Sequence, residues 1–287
     1  MIRLDAATVL LQWATGGLLF LWVTTRRREL GIGYGWLLRG VYLVMTVGAV
    51  AAGRIGTPVP VRDVAAVAMA LATGVALVVS VLRRQAGVAG QRATHQRRSA
   101  RVAAMTGIER VPSDQGPSDP DGPEFPPLLD LVPPLFGAVG LVAAGMAAGG
   151  PPVLAIVRTL IGAAFLGSVT DAMLLGHWYL VQPGLGRAPL EELNRWVAWI
   201  WPFEVGALLW PTGMVSVLTG RIDDGYKGIL GWFWVACAIT TLALTFVTRA
   251  ALKEKSYSAV MAATGLLYLA ILTAFGTDLV ARAILAG

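Results

Sequence analysis

Charged residues are scarce in this chain of 287 residues, at 14% of the sequence. Soluble domains contain about 25%, because a soluble fold needs charged groups over much of its surface. Hydrophobic residues make up 56% of the chain, which also excludes a disordered protein. The composition therefore leaves one class, a protein that crosses a membrane several times.

Cysteine and histidine are nearly absent, which excludes several cofactors. Cys237 is the single cysteine, so the chain has neither an internal disulfide nor a CxxC pair for a metal or an iron–sulfur cluster. Of the two histidines, His95 lies in a polar, arginine-rich stretch and only His177 lies beside an apolar run. The chain alone therefore cannot hold a membrane haem between two histidines. We expect no metal site and no cofactor in this chain, with a bound quinone or lipid as the remaining candidates.

Motifs for nucleotide binding and soluble hydrolysis are missing too. The sequence contains no GxxxxGK[ST], GxSxG or HExxH motif and no glycine-rich dinucleotide motif. These absences exclude an ATPase motor within the chain and a hydrolase of the soluble type.

Long apolar runs are the dominant feature that the sequence does contain. A helix needs about 20 apolar residues to span a bilayer, and eight runs meet that length. They lie near 6–23, 36–53, 64–82, 128–148, 152–181, 196–218, 229–248 and 259–283. Runs of this length are too long for barrel strands. We therefore predict an all-α polytopic membrane helical bundle with eight transmembrane helices.

The lysines and arginines indicate the orientation of these helices. The loops after the first, third, fifth and seventh runs carry most of them, and the net charge is +6. Basic loops stay on the cytoplasmic side, so both termini are predicted on the extracytoplasmic side. This placement accounts for the basic charge without a nucleic-acid partner, and membrane lipids are the expected surroundings.

A polar segment divides the chain into three parts. Residues 1–82 hold transmembrane helices 1–3, residues 83–127 form a polar cytoplasmic loop, and residues 128–287 hold helices 4–8. The first half of the loop is basic and the second half is acidic and rich in proline, a composition that does not fold alone. The loop is either a solvated linker or a tether to anionic lipid or a cytoplasmic partner.

Several residues within the apolar runs can carry proton chemistry, because ionisable groups inside a membrane usually face the bundle interior. Asp171 and Glu204 are the candidate catalytic carboxyl groups, since buried carboxyl groups can exchange protons near neutral pH. We expect them to converge in the cytoplasmic half with Arg39, which either tunes Asp171 or simply pairs with it. Glu204 is expected about 12 Å from the cytoplasmic end of its helix.

Two further groups of residues complete the predicted site residues. In the segment GHWYLVQPGLG, His177 and Tyr179 are candidate ligands for the carbonyl groups of a quinone, and Trp178 is a candidate wall of that site. On the opposite side of the membrane, a second set is predicted to form structural ion pairs, with two members at the helical i,i+4 spacing. The second set consists of Arg158, Asp278 and Arg282.

Three functions fit this pattern. The layout of eight helices with both termini outside is similar to that of quinol-oxidising membrane anchors of respiratory oxidoreductases. That resemblance implies a membrane subunit of a redox assembly in a bacterial cytoplasmic membrane, with the redox centres supplied by partner subunits. The alternatives are a proton-coupled transporter of small solutes and a non-catalytic scaffold or assembly factor.

Overall fold

The structure, a computed structural model, describes residues 5–88, 122–182, 185–211, 213–254 and 256–286. Every regular element within these ranges is a helix. The α-helices are α1 (Ala6–Thr25), α2 (Ile32–Ile55), α3 (Pro60–Leu82), α4 (Val132–Ala147), α5 (Pro152–Val181), α6 (Ala188–Leu209), the short α7 (Met214–Leu218), α8 (Ile229–Lys253) and α9 (Tyr257–Ala286). Short 3-10 helices cover Arg84–Ala86 and Pro127–Leu131. Most of the predicted polar loop lies outside the described residues.

Seven helices of the described chain are long and apolar enough to cross a membrane. They are α1, α2, α3, α4 with the 3-10 turn before it, α5, α8 and α9. The predicted class, an all-helical protein that crosses the membrane several times, is confirmed. Helix α6 has 22 residues and is about 33 Å long, but the charged residues in its sequence lower its hydropathy. The eighth span and the sidedness of the termini stay predictions.

Helix α6 differs most from its predicted bounds. It covers Ala188–Leu209 and not 196–218, because its first turns are polar and yet helical. Pro189 lies in its first turn, where a missing N–H group costs no helical hydrogen bond. Pro211 follows its end, and the chain re-forms a helix only at Met214. Hydropathy therefore placed the whole helix about two turns too late.

The long helices form two four-helix units. In the first unit, α1 packs on α2, α2 on α3, α3 on α4, and α4 back on α1. In the second unit, α5, α6, α8 and α9 close a ring in the same way. Contacts of α5 with α1 and α4 join the two units. Helix α4 follows the polar loop in the sequence and packs against α1 and α3.

The two ends of the bundle differ in charge. The terminus end carries Asp5 and Ala286, and there the buried Arg62 contacts Asp5 at 2.8 Å between Nη1 and Oδ1. The other end, called the basic end here, carries most of the described lysines and arginines. Two of its cations, Arg26 and Arg27, contact Glu192 at the start of α6, at 2.5 and 3.0 Å.

Asp224 forms the cap of α8. Its Oδ1 accepts hydrogen bonds from the backbone N–H groups of Tyr226 and Gly228, at 2.9 and 2.8 Å. Its Oδ2 accepts from the N–H groups of Leu230 and Gly231, at 2.9 and 3.2 Å. Desolvation raises the pKa of Asp224, but the four donors lower it by more, so that this pKa lies below its ordinary value.

The cap predicts a pH dependence of stability. Because the pKa of Asp224 is depressed in the folded state, its contribution is full above the unfolded-state pKa, about 3.9, and is lost as pH falls through the folded-state pKa. We expect Asp224→Asn to lower the melting temperature at pH 7 and to flatten the decline at acid pH. Asp223→Asn is the matched control, because Asp223 accepts a single hydrogen bond among the described residues, from Gly225. Equal melting curves for the two variants would contradict the cap.

Candidate functional site

Helices α1 and α5 touch backbone to backbone, and this contact positions the candidate site. A Cβ atom built on Gly16 would lie 1.7 Å from the carbonyl oxygen of Ala163. One built on Gly167 would lie 2.1 Å from the carbonyl carbon of Gly16. Only glycine fits at such distances, so these two positions let the two four-helix units meet at their centre.

One turn toward the terminus end, Gly162 makes room for polar side chains against α5. A Cβ atom there would lie 2.4 Å from Gln12 Nε2, 2.7 Å from Asp278 Oδ1 and 2.9 Å from Arg282 Nη2. Three side chains from α1 and α9 therefore occupy the space that any larger residue at position 162 would need.

Five polar side chains from four helices meet at this point and are called the ion cluster below. They are Gln12 from α1, Arg158 from α5, Glu204 from α6, and Asp278 and Arg282 from α9. Each is at most 1% exposed. The cluster thus lies at the junction of the two units, with α1 from the first and the other three helices from the second.

The contacts within the ion cluster are unevenly distributed. Arg282 Nε donates to Asp278 Oδ2 at 2.7 Å, at the i,i+4 spacing on α9. Gln12 Nε2 donates to Asp278 Oδ1 at 3.4 Å. Arg158 Nε donates to the backbone carbonyl of Ala207 at 2.7 Å, near the end of α6. Asp278 is therefore bonded at both oxygens.

Glu204 has no such partners. Neither of its carboxyl oxygens has a hydrogen-bond partner within the described chain, and the same holds for Nη1 and Nη2 of Arg282 and Oε1 of Gln12. The carboxyl group of Glu204 lies next to that of Asp278 and interacts electrostatically with Arg282 and Arg158. The ion cluster therefore combines two adjacent carboxyl groups with unused donors on a neighbouring guanidinium.

Asp171 forms a second buried polar site on α5. The hydroxyl group of Tyr42 on α2 donates to Asp171 Oδ1, while Oδ2 has no hydrogen-bond partner among the described residues. Tyr34 lies close enough to interact with the Asp171 charge. Gly17 leaves the space for the Tyr42 ring, since a Cβ atom there would lie 2.0 Å from Tyr42 Cζ.

Asp171 and Glu204 do not share a site, in contrast to the expectation from the sequence. Asp171 contacts Tyr42, whereas Glu204 contacts the ion cluster. The reason is the earlier start of α6, which places Glu204 about 24 Å from the basic end of its helix, not about 12 Å. Glu204 therefore joins Arg158, Asp278 and Arg282 in the half of the bundle near the terminus end.

Arg39 pairs with Asp130 and not with Asp171. Arg39 Nε and Nη2 donate to the two oxygens of Asp130, both at 2.7 Å, and both side chains are almost fully buried. Thr25 Oγ1 also donates to Asp130, at 3.0 Å. Arg39 Cζ lies 4.2 Å from the centre of the Phe125 ring. The pair fastens the start of α4 to α2 at the basic end.

We expect Asp130→Asn to destabilise the protein by about 3–5 kcal/mol, because it leaves the buried Arg39 guanidinium without its counter-charge. The double variant Arg39→Met/Asp130→Leu removes both charges and is expected to recover most of that loss. Denaturant unfolding in detergent measures both. A double variant less stable than Asp130→Asn would show that the unpaired Arg39 charge is not the cause of the loss.

The candidate residues of the quinone site, His177, Trp178 and Tyr179, contact different partners. The Tyr179 hydroxyl donates to the carbonyl of Gly186, and Trp178 Nε1 donates to Gln182 Oε1 at 3.1 Å. His177 Nδ1 lies 3.1 Å from the Tyr268 hydroxyl on α9. The structure therefore does not bring His177 and Tyr179 to one site, and a quinone as occupant stays a prediction.

Sequence reasoning missed Gln12, Tyr42 and Asp130. It considered ionisable groups within apolar runs, so it passed over the neutral Gln12 and Tyr42. Asp130 lies at the edge of the predicted run 128–148 and was not considered. A polar side chain within an apolar run is the signal that would have found Gln12. No group of three or more metal-ligating side chains occurs among the described residues.

The comparisons with known proteins return nothing: no family model, no curated protein and no solved structure matches this chain. The fold and the site therefore define only a class, a multi-pass helical membrane protein with a buried ion cluster between two four-helix units.

Proposed function

We propose that this protein moves protons across the membrane and that the Glu204–Asp278 carboxyl pair in the ion cluster is its proton site. One observation carries the proposal. Glu204 is fully buried next to a second carboxyl group, and neither of its oxygens has a hydrogen-bond partner among the described residues. Two adjacent buried carboxyl groups favour sharing a proton over carrying two negative charges.

The unused polar atoms argue against a purely structural cluster. A buried polar network that only holds helices together satisfies every donor and acceptor, because an unsatisfied buried charge costs several kcal/mol. Here Glu204 and two nitrogens of Arg282 are unsatisfied. A proton on Glu204 removes its charge and supplies a donor to Asp278, which accounts for the carboxyl–carboxyl contact.

The unsatisfied nitrogens of Arg282 can also stabilise the negative charge of Glu204 after its proton leaves. With Glu204 ionised, the two carboxylates and two guanidiniums of the cluster balance to zero. The free Nη1 and Nη2 groups of Arg282 then serve as the partners of Glu204. Protonation thus selects between two pairings, Glu204 with Asp278 or Glu204 with Arg282, and this gives the cluster two discrete arrangements.

Asp171 and Tyr42 supply a second proton-accepting position nearer the basic end. Along α5, Asp171 lies nine residues beyond Gly162, or about 14 Å. Both positions also border α1, through Gln12 and Gly17. A proton that enters at the ion cluster thus meets a second buried carboxyl group at a different depth.

The orientation follows from the basic end. Lysines and arginines are retained on the cytoplasmic side, so the basic end faces the cytoplasm and the ion cluster lies in the outer half of the membrane. A bacterial cytoplasmic membrane is the location that fits this asymmetry.

The position of the ion cluster favours a proton-coupled carrier of small solutes. Carriers place their ion sites between two helical units that rock against each other, and the cluster draws α1 from one unit and α5, α6 and α9 from the other. A membrane subunit of a redox assembly is the second form of the proposal, and it requires redox centres on partner subunits.

Reconstitution of the pure protein into liposomes tests the proposal. We expect a trapped pH dye to report proton entry, under an imposed membrane potential, above the rate of empty liposomes. Entry that requires an added pool of small solutes would identify a carrier, and entry without solutes would identify a proton-conducting subunit. Rates equal to those of empty liposomes, with and without solute pools, would contradict the proposal.

A further inference from the structure

A groove runs between α6 and α8 at the basic end, on the outer surface of the bundle. Its volume is about 540 Å³. Its walls come from residues 191–203 of α6 and from the last half of α8. Its inner end reaches Phe203, next to Glu204 in the sequence, but Glu204 is fully buried and does not line the groove. The proposed proton site makes no use of it.

The mouth of the groove is positively charged. Arg195, Arg249 and Lys253 line it, all exposed. No hydrogen bond or ion pair to any of the three is found within the described chain. Glu191 is the carboxylate among the described lining residues, so the groove carries a net charge of about +2 from these side chains.

The deeper part of the groove is aromatic. Trp199 and Phe203 on α6 and Phe246 on α8 line it, and they are 66%, 61% and 58% exposed. Phe203 lies eight residues beyond Arg195, or about 12 Å further from the basic end. The groove is therefore charged at its mouth and apolar further in. A lipid has the same order, with a charged headgroup followed by an apolar acyl chain.

Asn194 adds a polar atom to the floor. Its Nδ2 donates to the carbonyl of Thr245 at 2.9 Å, which fixes the side chain between α6 and α8. Its Oδ1 is buried without a hydrogen-bond partner among the described residues. An acceptor held at the floor of a cationic groove suits a ligand that combines a phosphate with a hydroxyl group.

We infer that this groove binds an anionic glycerophospholipid of the phosphatidylglycerol type. The phosphate lies among Arg195, Arg249 and Lys253, a headgroup hydroxyl donates to Asn194 Oδ1, and an acyl chain lies along Trp199. Basic pockets between transmembrane helices at the cytoplasmic face bind anionic headgroups in this way. Free phosphate would leave the aromatic part of the groove unused.

Fluorescence quenching by brominated lipids tests the inference on the purified full-length protein in detergent. Bromine on an acyl chain quenches tryptophan on contact, and subtraction of the Trp199→Phe signal isolates Trp199. We expect brominated phosphatidylglycerol to quench Trp199 at lower mole fractions than brominated phosphatidylcholine. Each cation replaced in Arg195→Gln, Arg249→Gln and Lys253→Gln is expected to weaken the preference about fivefold.

Arg84→Gln is the matched control, because it removes one exposed cation from the same end of the bundle outside the groove. It should leave the preference unchanged. A preference that survives the triple variant, or that Arg84→Gln reduces equally, would overturn the inference. Displacement of the lipid by inorganic phosphate at millimolar concentration would identify a phosphate site and would also overturn it. These outcomes concern the groove alone and leave the proton site untouched.

Discussion

Glu204→Gln is expected to lower proton entry into liposomes by a hundredfold or more, about the contribution of one positioned proton-transfer group. Glutamine has nearly the shape of a protonated glutamic acid, and it can still donate to Asp278, but it cannot release a proton. The ion cluster is then held permanently in one of its two arrangements. Because glutamine carries no charge at this buried position, we expect the melting temperature to stay the same or to rise.

Two comparisons separate this effect from a general loss of structure. Glu191→Gln changes the same residue type on the same helix at an exposed position, and it should leave proton entry unchanged. Asp278→Asn leaves Arg282 without its ion-pair partner, so it should cost about 3–5 kcal/mol of stability as well as activity. Wild-type proton entry by Glu204→Gln would exclude Glu204 as the proton carrier.

Gly167→Ala is expected to have a large effect on folding. Its new methyl group would lie 2.1 Å from the backbone of Gly16, and a backbone atom cannot turn aside as a side chain can. Helices α1 and α5 must then separate by more than 1 Å at the contact that joins the two units. Overpacking of a core costs about 1–3 kcal/mol, and we expect a value at or above the upper end, with a clear fall in the yield of monodisperse protein.

Two other glycines within helices provide the control for this prediction. A Cβ atom on Gly74 in α3 or on Gly265 in α9 meets no atom within 4 Å. Gly74→Ala and Gly265→Ala should therefore be neutral or stabilising by up to about 1 kcal/mol, the ordinary gain in helix propensity. Equal melting temperatures for Gly167→Ala and these controls would show that α1 and α5 do not meet at this position.

The hydropathy pattern was sufficient to predict the class of fold because spanning helices must be apolar over about 20 residues. It placed α5 at 152–181, the range of the observed helix Pro152–Val181. It failed for α6, because hydropathy does not register a helix whose first two turns carry Glu191, Glu192 and Arg195. The start of such a helix depends on its backbone and on its packing against α5 and α8. A hydropathy profile carries no information about either.

The error in α6 accounts for most of the difference at the site. A shift of about two turns moves Glu204 by about 12 Å, from the level expected for Asp171 to the level of Arg158 and Arg282. The partner of Asp171 could not be predicted from the sequence either, because a tyrosine such as Tyr42 in an apolar run is usually only a packing residue. The partners of Glu204 and of Asp171 depend on which helices are neighbours. Only the packing of the two units supplies that information.

The central claim is that Glu204 holds an exchangeable proton beside Asp278. Infrared difference spectroscopy across a pH titration of the reconstituted protein tests it most directly, because a protonated carboxyl group has a carbonyl band that a carboxylate lacks. We expect a titrating carboxylic-acid band that disappears in Glu204→Gln and persists in Glu191→Gln. A band unchanged in Glu204→Gln, or no carboxylic-acid band at any pH at which the protein stays folded, would contradict it.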